Sequence, residues 1–233
     1  MHRITLTIIL LLAATCADAA WYQKTDGTIV DPIQFWMGGD LEYAGNNLEP
    51  GADLSGAHLS GAVLTNADLE SVNLENAGLG DSILTDADLN NASMSGAFLL
   101  SANLTGASLR SADLTNATLA GANLSDADLS DADLRYSMLS SATLTGADLE
   151  NTNLENVNLS SAFLSDVLNY DSATWTGAFY YTNVEPVWHV NMDINWRINA
   201  GIVPTPNPNA VPEPSTLLLA LLGLALVPRR RRR

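Results

Sequence analysis

The sequence predicts an all-β solenoid, and this prediction depends on one internal repeat. Leucine recurs every five residues from Leu54 to Leu164, with Met94 as the single substitution. With the leucine at position i, position i−2 is alanine in 18 of the 23 pentads. Position i+2 is Gly, Asn, Asp or Ser in 22 of them, which are typical residues of tight turns. The repeat covers residues 52–166 without an insertion, which indicates stacked structural units.

A period of five residues excludes a continuous helix or strand in the repeats. In an α-helix, successive leucines would be separated by about 140° and would form no stripe. In a strand they would alternate between the two faces, because five is odd. The chain must therefore turn once per pentad, with positions i and i−2 inward and short extended segments stacked about 4.8 Å apart. Coils of three sides and of four sides both satisfy this pattern.

Residues 1–19 are typical of a secretory signal peptide. Arg3 supplies the positive start, a short apolar core follows, and Ala17 and Ala19 form the small-x-small cleavage site. A lipoprotein signal through Cys16 matches less well, because the residues before the cysteine lack the usual pattern. The first 19 residues are therefore expected to be removed by signal peptidase.

The segments that flank the repeats are predicted to cap the solenoid, because its ends expose core and unpaired strand edges. We assign residues 20–49 to an N-terminal cap, 50–168 to the β-helix and 169–202 to an aromatic C-terminal cap. All five tryptophans lie in the two caps. The C-terminal cap is predicted to contain a short helix over Val190–Asn199. Its aromatic residues could also stack on sugar rings, but covering the core is the interpretation that we favour.

The end of the chain has a three-part pattern. Residues 203–210 are a Pro-rich linker that is expected to be extended and without regular structure. Residues 211–233 contain a Pro-Glu-Pro motif, an apolar span at 216–227 and five arginines. The span is short for a membrane helix and predicts only a transient membrane association. The residues assigned to the sorting signal are Val211, Pro212, Glu213, Pro214, Arg229, Arg230, Arg231, Arg232 and Arg233.

Both patterns resemble known families. The tandem Ala-Asp/Asn-Leu-x-x units resemble the pentapeptide-repeat family, which implies a right-handed quadrilateral parallel β-helix with twenty residues per coil. The tail resembles a PEP-CTERM sorting signal, which implies processing by an exosortase in a Gram-negative envelope. An ordinary C-terminal membrane anchor is the alternative for the tail. The expected core of the repeat includes Leu54, Leu74, Leu104, Leu124, Leu144 and Leu164.

The charge of the chain excludes a nucleic-acid binder. The sequence has 26 acidic and 10 basic residues, a net charge of −16. If both terminal signals are removed, 24 acidic and 4 basic residues remain, a net charge of −20. No basic stripe is then left to neutralise phosphates. The single cysteine, Cys16, lies in the signal peptide, so we expect no disulfide in the mature chain.

Twenty-residue coils would stack the outward residues at position i−1 into columns, and two adjacent columns are acidic. The first acidic face contains Asp68, Asp88, Ser108, Asp128 and Asp148. The second acidic face contains Asp53, Asn73, Ser93, Asp113, Asp133 and Asn153. With their neighbours, these faces hold 12 of the 16 acidic residues of the repeats. The other two faces include Val63, Ile83, Phe98, Met138 and Phe163. Phe98, Met138 and Phe163 could form a partner surface, but we favour tolerated exposure or packing under a terminal segment.

Three interpretations of the acidic faces remain open. A solvated acidic surface would keep an exported rod soluble. Stacked carboxylates could bind a divalent cation such as Ca²⁺, with Asp68, Asp88, Asp128 and Asp148 as the candidate ligands. Some pentapeptide-repeat proteins are acidic rods that occupy the DNA site of topoisomerases, but the signal peptide argues against such DNA mimicry here.

The sequence predicts a non-enzymatic secreted protein with a structural or interaction role and no cofactor. It contains no Gly-rich phosphate loop, nucleophile motif or acid–base pair. The expected location is the cell surface or extracellular matrix, after transient anchoring in the inner membrane. The expected partners are signal peptidase and exosortase during export, then exopolysaccharide or envelope proteins, and no nucleic acid. The alternative is a binding module for a Ca²⁺-dependent polysaccharide or protein ligand, with a DNA-mimicking topoisomerase inhibitor less favoured.

Overall fold

The computed structural model describes residues 22–25, 28–30, 34–35, 48–181 and 184–206. The predicted signal peptide and sorting signal lie outside these residues. Within them the chain forms a right-handed quadrilateral parallel β-helix, and the predicted fold class is confirmed.

Six strands of two or three residues and one six-residue helix are described. In chain order they are β1 (Tyr22–Gln23), β2 (Ile29–Val30), β3 (Gln34–Phe35), β4 (Ala62–Val63), β5 (Phe179–Tyr181), α1 (Ile194–Asn199) and β6 (Val203–Thr205). β1 pairs with β2 and β3 with β4 in antiparallel fashion, whereas β5 and β6 are parallel. The pairing of β3 with β4 attaches the N-terminal segment to the first coil.

Most of the solenoid is held together by single-residue parallel β-bridges rather than by long strands. The bridges join position i−1 of one pentad to position i−1 twenty residues later, from Asp53 and Asn73 to Asp148 and Leu168. Four such columns run along the rod, and in face order they begin at Asp68, Asp53, His58 and Val63. They define the first and second acidic faces, a third face and a fourth face.

Four of the five backbone N–H groups in a typical pentad donate to backbone carbonyls. The N–H groups of i, i+2 and the following i−2 residue are donors, as is the N–H of i−1. In the pentad of Leu104 these bonds are Leu104 N to Asn123 O at 2.7 Å, Gly106 N to Ser125 O at 2.9 Å, Ala107 N to Leu104 O at 3.0 Å and Asn103 N to Ser82 O at 2.8 Å. Three of the four join neighbouring coils, so the backbone ladder runs along the axis of the rod.

The corner of every pentad is a residue in the left-handed region. All 23 residues at position i+2, from Gly56 to Asp166, have φ between +54° and +74°. Asn, Asp and Gly enter this region more readily than other residues, which explains their use at the corners. Tyr136, the one corner outside the Gly, Asn, Asp and Ser set, is also left-handed, with φ +61°.

The interior consists of stacked leucines and alanines. The six predicted core leucines are each at most 2% exposed: Leu54, Leu74, Leu104, Leu124, Leu144 and Leu164. The alanines at i−2 are buried between them from Ala62 onward, apart from a few positions with Val, Ser or Thr. Because these side chains are small, neighbouring coils can approach to the spacing that their hydrogen bonds require.

Residues 169–206 continue the solenoid as an irregular seventh level. Insertions lengthen the spacing between bridged residues to 21 at Asn153 and Thr174, and to 24 at Phe163 and Val187. The bridges place Trp175, Tyr180 and Trp188 in the register of the leucines below, because each directly follows a bridged residue. Trp175 and Tyr180 are 3% and 6% exposed. The last level therefore covers the leucine column with aromatic rings.

Two details differ from the sequence prediction. The helix begins at Ile194 rather than Val190, because the Asp193 side chain caps it by accepting the Trp196 N–H at 2.7 Å. The predicted linker 203–210 starts too early, because Val203–Thr205 forms β6 and its first N–H donates to Ala178 O at 2.7 Å. Pro204 is compatible with this strand because an edge strand does not need every N–H.

Replacing Tyr136 with Asn should stabilise the fold by about 1 kcal/mol, because a left-handed conformation costs a tyrosine more than an asparagine. The Tyr136 side chain is 57% exposed, so little packing is lost. The reciprocal change Asn91→Tyr, at another exposed corner with φ +58°, should destabilise by a similar amount. Urea unfolding of both variants measures these differences, and equal stability of all three proteins would contradict the role of the corner.

Removing either of two buried hydroxyls should also stabilise the protein. Ser82 and Ser137 occupy i−2 positions, and among the described residues their Oγ atoms have no hydrogen-bond partner. Ser82→Ala or Ser137→Ala should gain about 1 kcal/mol in unfolding free energy, because an unpaired buried hydroxyl is costly. Thr152→Val is the control: its Oγ1 donates to Leu129 O at 2.9 Å, so this change should destabilise. Stabilisation by all three changes would refute the explanation.

Candidate functional site

Many residues of the acidic faces have a structural role, because their side chains bond a backbone N–H. In each pentad the N–H at i+1 is the one that the typical ladder does not use. Eleven Asp or Asn side chains at i−1 accept this N–H through Oδ1 at 2.9–3.2 Å within the described repeats. They are Asp53, Asn73, Asp88, Asn103, Asp113, Asn123, Asp128, Asp133, Asp148, Asn153 and Asn158.

A hydroxyl at i+1 often reinforces this turn. The hydroxyls of Thr105, Ser125, Ser130 and Ser160 donate to the same Oδ1 that accepts their backbone N–H. From the sequence the i−1 residues were expected to be outward side chains in columns, and their role in the turn was not predicted. The spacing of Asp or Asn two residues before Ser or Thr is the signal that would have indicated it.

The two arginines of the repeats lie where aspartates stack on one another. Asp113 is bridged to Asp133, and Asp128 to Asp148. Arg135 bonds Asp133 through Nε and Nη2, with the shortest distance 2.6 Å. Arg110 reaches Asp128 Oδ2 from the level below at 3.0 Å. Each arginine therefore reduces the repulsion between two carboxylates that the β-helix holds in adjacent coils.

These contacts lower the pKa values of the two bonded carboxyls. Burial raises the pKa of Asp128, but hydrogen bonds from the Ser130 hydroxyl and N–H, together with Arg110, outweigh burial and hold this pKa below its ordinary value. Burial likewise raises the pKa of Asp133, and the side-chain and backbone bonds from Arg135 outweigh it. Both carboxylates therefore stabilise the folded chain in their charged form.

Three of the four candidate metal ligands already accept hydrogen bonds. Asp88 Oδ1 accepts from Asn90 N at 3.0 Å, and both oxygens of Asp128 are bonded. Asp148 Oδ1 accepts from Glu150 N at 3.0 Å and Asn169 Nδ2 at 2.8 Å. Asp68 is bridged to Asp88. Within the described residues no group of three His, Cys, Asp or Glu side chains could hold a metal ion, and cation binding stays a prediction.

The apolar residues of the other faces do not form one continuous surface. Phe98 and Met138 lie in the third column, two levels apart, and are 56% and 46% exposed. Phe163 lies in the fourth column, bridged to Val187. Val63 is bridged to Ile83 and pairs with Gln34 of β3, so the N-terminal segment lies beside the start of this column.

The seventh level forms an aromatic cluster around α1. The Trp196 ring lies 5.2 Å from Tyr170 and 5.9 Å from Trp175, with both pairs close to perpendicular. Trp188 lies 5.7 Å from Tyr180, and the Arg197 guanidinium lies over its ring at 5.0 Å. Arg197 also pairs with Glu185. These contacts fix α1 against the end of the solenoid.

A family comparison agrees with this geometry. A profile described as pentapeptide repeats matches eight copies over residues 51–85, 82–121, 112–151 and 138–167, which together cover half of the chain. The chain belongs to the pentapeptide-repeat family. Proteins of this family are generally structural or interaction proteins rather than enzymes.

Solved structures of pentapeptide-repeat proteins are similar to this chain. QnrB1, a plasmid-mediated fluoroquinolone resistance protein, is 21% identical, with 78% of this chain and 92% of QnrB1 aligned and a TM-score of 0.50. A protein from the thylakoid lumen of Arabidopsis thaliana is 26% identical over 47% of this chain and 67% of its own, with a TM-score of 0.35. Rfr23 from the cyanobacterium Cyanothece is 27% identical over 60% and 90%, with a TM-score of 0.32. The similarity to QnrB1 concerns the fold alone. No curated protein matches the chain.

The second family match concerns the end of the chain. A PEP-CTERM protein-sorting motif matches residues 210–233 and includes every residue that the sequence analysis assigned to the sorting signal. The motif indicates export, sorting to the cell surface and an exosortase-type sorting system as a partner. Ala17, Ala19 and residues 211–233 lie outside the described residues. In the part of the chain that the structure describes, no helix is long and apolar enough to cross a membrane.

Acid should destabilise the protein partly through Asp128. A carboxyl with a lowered folded pKa contributes stability that is present above its unfolded pKa of about 3.9 and is lost as the pH falls through its folded value. Asp128→Asn keeps the Oδ1 acceptor but cannot titrate, so its unfolding free energy should fall less between about pH 5 and pH 2 than that of the wild type. Glu70→Gln, at an exposed carboxylate on the same face, is the control. An unchanged pH dependence in Asp128→Asn would contradict the assignment.

Proposed function

We propose that the protein is a non-enzymatic structural or interaction rod of the cell surface or exopolysaccharide matrix. Signal peptidase and then an exosortase-type system act on it during export. The observation that carries the proposal is the order of parts: a closed, acidic β-helix is followed by a PEP-CTERM motif. A rigid scaffold that presents side chains at fixed spacing suits such a role.

The short stretch of sequence between β6 and the sorting motif supports an oriented rod. β6 ends at Thr205 in the last level, and the matched motif begins at residue 210. While residues 216–227 associate with the membrane, the C-terminal level would lie nearest to it. The rod would then extend outward from the membrane, with the acidic faces along its sides. From Asp53 to Thr174 its length is about 30 Å at the strand spacing.

The charge distribution supports an extracellular role for the surface. Within the repeats 16 residues are acidic and two are basic. Such a surface favours solubility and resists self-association in a crowded matrix. For the rod as a whole we propose envelope proteins or exopolysaccharide as partners.

Replacing Pro212 and Pro214 with Ala should disable the sorting signal and leave the protein in the membrane fraction. The apolar span would then keep its association with the membrane because the tail is not processed. Pro206→Ala with Pro208→Ala, just upstream of the motif, is the matched control and should leave release unchanged. Immunoblots of membrane, surface and medium fractions measure the distribution. Equal release of both double variants would refute processing through the motif.

A further inference from the structure

A cleft of about 330 Å³ lies in the seventh level, between the segment after the last repeat and the C-terminal end of α1. One wall contains Asp171, Thr174 and Thr176, and the other contains Trp196 and Asn199. The nearly buried Trp175 also contributes to the lining. Its volume is near the lower end of the range of about 300–1,000 Å³ that is typical of small-molecule sites.

The polar side chains that line this cleft are solvent-exposed and have no partner in the part of the protein that the structure describes. Within the described residues the side chains of Asp171, Thr174, Thr176 and Asn199 form no hydrogen bond to the protein, and Asp171 is in no ion pair. By contrast, the nearby Ser172, Asp193 and Glu185 side chains are all bonded. The aspartates of the acidic faces mostly hold backbone turns, whereas those four side chains remain available to a ligand.

The aromatic wall of the cleft is held in place before any ligand binds. Trp196 contacts Tyr170 and Trp175 in two nearly perpendicular ring pairs. Its backbone N–H donates to the N-cap Asp193, which fixes the start of α1. Trp196 as a whole is partly exposed. A fixed, partly exposed indole offers apolar surface at little cost in conformational entropy.

The chemistry of the lining selects one class of ligand. No basic side chain lines the cleft, and Asp171 would repel an anion. A purely apolar ligand would leave one carboxylate, one amide and two hydroxyls without partners. A neutral sugar ring has an apolar face of C–H groups and an edge of adjacent hydroxyls, which matches an indole beside hydrogen-bonding side chains.

We propose that this cleft binds one or two units of a neutral saccharide. Asp171 accepts hydrogen bonds from adjacent hydroxyls, Asn199 and the threonines both donate and accept, and Trp196 packs against the C–H face. The proposal rests on the proposed function only for the source of the glycan, which would be the surrounding matrix. The binding itself is a property of the folded chain.

Calorimetric titration of the purified full chain tests the site. The probes are neutral hexasaccharides of glucose, mannose, galactose and N-acetylglucosamine, with an oligouronate as the acidic comparison. We expect saturable binding of at least one neutral probe, weakened about tenfold or more by Asp171→Ala, since a hydrogen bond to a charged group is lost. Asn199→Ala is a second variant that leaves the aromatic cluster intact. Glu70→Ala removes the same charge on the first acidic face and should leave the affinity unchanged.

Three outcomes would overturn the proposal: no binding of any neutral probe at millimolar concentration, tighter binding of the oligouronate, or equal weakening by Glu70→Ala and Asp171→Ala. Melting temperatures of the variants establish that each is folded. Failure here is distinct from failure of the proposed function, which the fractionation of the proline variants measures in cells. A protein that binds sugar but is released normally without its motif would refute the sorting role and leave the cleft in place.

Discussion

The left-handed corner at every fifth residue is the constraint on which the other features depend. Each corner turns the chain by one side of the square, so that four of them return it above its starting point after twenty residues. The N–H groups at i, i+2 and i−1 then point along the axis and meet carbonyls of the adjacent coils. One inserted residue would shift every later corner against the coil below. The repeats accordingly contain no insertion, and insertions begin only after Leu168, where the last level no longer has to support a regular coil.

The fold requires only part of what makes the rod acidic. The turn at i+1 requires an oxygen acceptor at i−1, and an amide serves as well as a carboxylate. Asn fills this role on the second, third and fourth faces, for example at Asn73, Asn158 and Asn123. Asp at this position occurs only on the first and second faces. The need for an acceptor thus explains why these positions are Asp or Asn, whereas the choice of Asp on two adjacent faces is a property of the surface.

Much of the fold could be predicted from sequence because the pentads share one pattern, so each supports the same structure for the others. The leucine period, the small residues at i−2 and the corner residues together exclude a helix and a continuous strand. Predicting the number of sides per coil required the family resemblance, since the corner residues would be the same in coils of three sides and of four. The seventh level could not be predicted in detail: after Leu168 the spacing changes to 21 and 24, and the inward residue changes from leucine to Trp175 and Tyr180. The cleft depends on that irregular spacing, so no sequence motif predicts it.

The irregular sequence of the seventh level both closes the core and forms the cleft. An aromatic ring covers more of an exposed leucine layer than another leucine would, but it needs a wider coil. One residue inserted between Leu168 and Thr174 lengthens the coil here, and α1 then returns across the end of the rod with Trp196 against Tyr170 and Trp175. The space between residues 171–176 and α1 is lined by the exposed polar side chains of Asp171 and Asn199. A regular seventh coil would have ended the stack with the same leucine and alanine side chains and no cleft. The irregular end therefore adds both a cover for the core and the one concave polar–aromatic surface that we assign to ligand binding.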